Sequence, residues 1–88
     1  MDLVQKFLVK YPKYKWHNDL VATLRYLDSI KDTDGNCVFS INTLSEKLIV
    51  RVPTLRNYFK ILEKLQILEW HRYVGKKGPI EIQMKEVL

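Results

Sequence analysis

The sequence predicts an α+β domain, helical through most of its length and closed by a β-hairpin. Three observations carry this. Apolar residues recur at spacings of three and four in successive segments as far as Leu68. The period then changes to two, with Trp70, Arg72 and Val74 alternating against Glu69, His71 and Tyr73. Between them, Pro53 interrupts what would otherwise be one long amphipathic helix.

Residues 1–12 form the first predicted helix, with Leu3, Val4, Phe7 and Leu8 on one face and Lys6 and Lys10 off it. Pro12 then stops or redirects the chain. A second helix, 18–31, turns Leu20, Leu24, Leu27 and Ile30 toward a core. Asn18 and Asp19 offer it an N-cap, and Lys15 or Trp16 could equally begin it. The polar turn "KDTDGN" is centred on Asp34-Gly35, and "CVF" behind it suits a single edge pairing. Ser40 can cap a third helix, 40–49, whose apolar side is Ile41, Leu44 and Leu48, with Ile49 at its margin.

Pro53 decides the next element. Inside a helix it would cost roughly 3 kcal/mol, through its missing N–H and its clash with the preceding turn. At the first helical position that N–H would be unpaired anyway. A break over Val50–Val52 and a new helix over 53–65 is therefore the cheaper solution, with Val52 held out of helical geometry. Leu55, Tyr58, Phe59, Leu62 and Leu65 fall on one side of this helix; Arg56, Asn57, Lys60 and Lys64 fall on the other. A hairpin over 68–86 follows, with Ile80, Ile82 and Met84 alternating against Glu81, Gln83 and Lys85, and "KKGP" making a basic tip.

Composition bounds the function. Eighty-eight residues fit one domain, 1–88, and 47% apolar with 28% charged residues describes a folded chain. No apolar run is long enough to cross a membrane or serve as a secretory leader. Cys37 is the single cysteine, and no Cys/His spacing suggests zinc. A cytoplasmic protein without metal or cofactor is expected. Net charge is +5, divided as −2 over residues 16–40 and +3 over both 1–15 and 41–64. Such a distribution offers a face to an anionic partner, nucleic acid being the commonest; the plainer alternative is lysines solvating helix surfaces.

Two short helices joined by a tight turn and followed by a hairpin make a winged helix-turn-helix. The stretch "FSINTLSEKLIVRVPTLRNYFKILEKLQILEW", residues 39–70, resembles the winged-helix superfamily, particularly its GntR-like and MarR-like regulators. Leu44, Ser45 and Leu48 match the family's Leu-(Ala/Ser)-x-x-Leu helix. Pro53, Thr54, Leu55 and Arg56 match its recognition-helix start, and Leu62 to Leu65 with Ile67 and Leu68 match its close. Ile49 and Gln66 stand where the family has glycine, and Arg51 where a capping serine is common; losing that cap removes about 1 kcal/mol of local support.

The resemblance implies a three-helix core, a two-stranded β wing and an extra N-terminal helix, with residues 53–65 as the recognition helix. It implies Arg56 or Asn57 as base readers, because bidentate donors match guanine and adenine edges, and Lys60 and Lys64 as phosphate anchors. Arg51 and Thr54 would touch the DNA backbone at the start of that helix. Lys76 and Lys77 would form a cationic wing tip, with Arg72 on the strand leading to it; "GKKGP" could equally be a soluble turn.

Other residues carry less. Tyr11, Tyr14, Trp16, Trp70 and Tyr73 read as core or interface aromatics in preference to base-stacking platforms. His17 and His71 lack a second ligand or a carboxylate at useful spacing, and Cys37 reads as a small hydrophobe. No paired carboxylates, phosphate loop or triad suggests an enzyme or a small-molecule substrate. Leu3, Val4, Phe7 and Leu8 are candidates for a homodimer interface, the alternative being that they enlarge their own core. The function expected is double-stranded DNA binding, most simply as a transcriptional regulator, with a plasmid- or virus-encoded partition or replication accessory looking much the same. An adaptor using its winged helix for protein contact is the other class.

Overall fold

The computed structural model describes residues 2–71 and 79–85. Within these residues, four α-helices and a small three-stranded antiparallel sheet enclose one apolar core. The helices are α1 (Leu3–Lys10), α2 (Asn18–Ile30), α3 (Ile41–Leu48) and α4 (Val52–Lys64). The strands are β1 (Asn36–Phe39), β2 (Leu68–His71) and β3 (Ile80–Met84). A 3-10 turn, Pro12–Tyr14, connects α1 to α2.

The predicted stripes make the core. Leu20, Leu24 and Leu27 from α2, Leu44 from α3, and Leu55, Phe59 and Leu62 from α4 are buried together with Ile67, Leu68 and Ile82. β3 is the central strand. Cys37 lies opposite Ile82 on one side of it and Trp70 opposite Ile82 on the other. The edge pairing expected of "CVF" is thus made with the far arm of the hairpin. β1 pairs with the edge of β3 that β2 leaves open, over Ile80 to Gln83, so those backbone groups are not left as a free edge.

The turn before β1 depends on Gly35. Its φ is +84°, and a Cβ added there would come within 3.0 Å of the Met84 carbonyl oxygen. Asp32 organises the same turn, its carboxylate accepting from the Asp34 and Asn36 backbone N–H groups at 2.9 Å each.

Several expectations need correction. Ser40 and His17 occupy the cap positions of α3 and α2, but neither side chain makes a capping bond. The Ser40 carbonyl accepts the Leu44 N–H at 3.0 Å instead, so backbone geometry alone starts α3. Asn18, expected as a cap, is the first helical residue of α2. α4 begins at Val52, one residue before Pro53. The proline is tolerated there because N–H groups throughout the first turn lack intrahelical partners. Ile49 is not on the apolar side of α3; it is 91% exposed.

α1 packs onto the rest of the domain. Val4 is 2% and Phe7 0% exposed, and Leu3 and Leu8 pack against the same core. Val4 and Phe7 therefore enlarge their own core, the alternative reading of this stripe, while Leu3 and Leu8 stay half-buried at its margin. Trp16, in contrast, is no core aromatic: it is 82% exposed. No helix among the described residues is long and apolar enough to cross a membrane.

Candidate nucleic-acid interface

α4 presents two chemically distinct faces. Leu55, Phe59 and Leu62 recur at helical spacing and are fully buried. Arg56, Asn57, Lys60 and Lys64 are exposed and, at about 100° per residue, group on the opposite side. Arg51 is exposed at the start of the helix, and Thr54 is half-buried there. The four α4 residues and Arg51 are thus brought together along one helix.

The acid of α4 is drawn away from that face. Glu63 accepts the backbone N–H of Trp70 at 3.1 Å, so its carboxylate faces β2. Phe59 meets Trp70 edge-on, 5.4 Å between ring centroids, and Phe39 at 5.9 Å on another side. These contacts fix α4 on the sheet and set its rotation. Lys31 pairs with Asp28 at 2.7 Å and Lys85 with Glu69 at 3.9 Å, both away from that face. α2 also packs against this helix, and burial first, with the Asp19 carboxylate second, raises the Tyr58 hydroxyl above its ordinary pKa.

The turn into α4 has an unusual backbone. Ile49 closes α3 at φ 54° and ψ 46°, and Gln66 follows α4 at φ 63°. Both are left-handed, at the two positions where a glycine would be more comfortable. Ser45 holds the first of these turns twice. Its carbonyl accepts the Val50 N–H at 3.1 Å and its hydroxyl donates to the Val50 carbonyl. Arg51 adopts an extended backbone at the cap position of α4 with no capping bond from its side chain.

Arg72, Lys76 and Lys77, the remaining candidates, lie outside the described residues. A further group of residues, not predicted as a site from the sequence, comes together near α1. Lys10, Lys13 and Lys15 each place an ammonium over a neighbouring ring, of Tyr11, Tyr14 and Trp16, at 5.7, 5.1 and 5.5 Å from its centroid. The signal is present in "KYPKYKW", where lysine and aromatic residues interleave, but periodicity cannot say which aromatics face solvent.

Comparison with protein-family models, curated proteins and solved structures returned no match. The arrangement itself therefore carries the functional reading: a rigidly held helix with a cationic, amide-bearing face and its own acid turned toward the sheet.

Proposed function

We propose that the chain is a winged helix-turn-helix domain that binds double-stranded DNA, with α4 in the major groove. The order α2-β1-α3-α4-β2-β3, with two helices joined by a short turn and an antiparallel pair behind them, is compatible with such a domain. The carrying observation is the exposed row Arg56, Asn57, Lys60 and Lys64, set opposite the buried Leu55, Phe59 and Leu62. Arg56 and Asn57 have the donor geometry to read guanine or adenine edges, while the lysines and Arg51 meet phosphates. The simplest role is a small transcriptional regulator; a partition or replication accessory needs the same contacts.

Salt dependence of duplex binding tests this. Each phosphate neutralised adds about 0.9 to the slope of log affinity against log salt. Lys60→Ala with Lys64→Ala should flatten that slope with site preference retained. An unchanged slope removes the lysines from the interface.

The other class is a domain that uses the same fold for protein contact, as an adaptor. Absence of duplex binding even at low salt would select it.

A further inference from the structure

The segment between α1 and α2 is built like a platform. Phe7, wholly buried, anchors it: Tyr14 stacks on Phe7 at 5.6 Å with 28° between the rings, and Tyr11 lies against Phe7 at 5.5 Å. His17 continues the row at 5.6 Å from Tyr14. Backbone bonds lock the intervening turns, Tyr14 N–H to Tyr11, Lys15 N–H to Pro12 and His17 N–H to Tyr14, at 3.0–3.1 Å. Pro12 restricts the same stretch from within. The segment is thus fixed to the core on one side.

What it displays outward is cationic and aromatic. Residues 3–18 contain no acid, and Lys6, Lys10, Lys13 and Lys15 are all exposed. Trp16 stands 82% exposed, with the Lys15 ammonium over its ring. A rigid segment that keeps its largest ring in water forgoes the area it could bury, so a ligand that stacks on that ring meets little ordering cost.

We propose that Lys10–Trp16 is a second DNA contact that takes a single strand, with Trp16 stacking on an unpaired base and Lys10, Lys13 and Lys15 neutralising phosphates. Bases inside a duplex have both faces covered by their neighbours, so an exposed indole finds a partner only where a base is unpaired. An anionic membrane surface fits less well, because interfacial binding needs a broad apolar face and that of α1 is committed to the core. The choice of DNA over RNA rests on the reading of α4 as a duplex-DNA helix, against which α2 packs.

The test measures the binding of fluorescently labelled oligothymidylate, oligouridylate and a blunt duplex, together with phosphatidylglycerol vesicles. Wild type should bind oligothymidylate, and Trp16→Ala should weaken this about tenfold or more, the range expected for losing one stacked base. Trp16→Phe should retain most of the affinity, and blunt-duplex binding should stay unchanged in both variants. Lys13→Ala with Lys15→Ala should lower the salt slope on the single strand by about 0.7 for each phosphate no longer neutralised. The proposal is overturned by unaltered oligothymidylate binding in Trp16→Ala, by binding to vesicles alone, or by binding to oligouridylate alone. Failure of the α4 reading shows separately, as a blunt duplex that wild type does not bind.

Discussion

Ser45 and Val50 are joined by two hydrogen bonds running in opposite directions, one from the Val50 N–H to the Ser45 carbonyl and one from the Ser45 hydroxyl to the Val50 carbonyl. The pair closes the turn between α3 and α4 and so sets the angle at which α4 leaves it. Ser45→Ala removes the hydroxyl bond alone. A net loss of about 1 kcal/mol is expected, read as a fall of about 4–8 °C in Tm. An unchanged Tm would mean that the hydroxyl contributes nothing to the turn.

Within that turn, Ile49 combines a left-handed backbone with near-complete exposure. A left-handed residue with a Cβ costs about 1–2 kcal/mol, and an exposed side chain recovers almost none of it through packing. Ile49→Gly should therefore raise Tm, the gain reduced by the roughly 0.4–1 kcal/mol of extra freedom glycine brings to the unfolded chain. Ile49→Val, still β-branched, should show no such rise. A fall in Tm for Ile49→Gly would contradict the strain argument.

The N-terminal helix belongs to the fold. Phe7 is fully buried and in ring contact with Tyr11 and Tyr14, so Phe7→Ala should cost about 3–5 kcal/mol, a large share of the roughly 5–15 kcal/mol that stabilises a typical domain. Deleting residues 1–12 should likewise abolish the cooperative thermal transition seen by circular dichroism. A truncated chain that melts as sharply as wild type would show α1 to be an appendage.

Cys37 should be unreactive and pH-sensitive together. Its thiol is buried, its Sγ donates to the Leu27 carbonyl at 3.3 Å, and burial first, with the Asp32 carboxylate second, pushes its pKa from 9.0 to about 11. The folded thiol holds its proton more tightly than the unfolded one. Its contribution to stability is thus complete below about pH 9 and is lost as the pH rises toward about 11. Denaturant titrations should show wild type losing more stability than Cys37→Ala between those values, and a thiol reagent at neutral pH should label only unfolded protein. Rapid labelling of the native chain would contradict the burial.

Much of this fold was legible because it rests on local periodicity. The stripes Leu20-Leu24-Leu27 and Leu55-Phe59-Leu62 are core in the structure, and the two-residue alternation of Trp70 and of Ile82 with Met84 places those side chains inward. Pro53 located the start of α4 to within one residue. The rest depended on contacts distant in sequence. Nothing local tells β1 that its partner is β3, or tells Val4 and Phe7 that their own core will cover them. Capping residues misled for a related reason: Ser40, Asn18 and Asp19 can cap, but cap bonds require side-chain rotamers that composition does not set. In the candidate site, the cationic face of α4 followed from spacing, whereas the exposure of Trp16 required knowing which aromatics Phe7 gathers inward.

The central claim is that the exposed face of α4 reads duplex DNA. Its most direct test is selection of a binding site from a random duplex library, followed by the affinity of Arg56→Ala/Asn57→Ala for that site and for its single-base variants. The predicted result is a loss on the order of 1–3 kcal/mol for each base pair read, with preference relaxed at those positions. Equal affinity and unchanged preference in the double variant would contradict the claim.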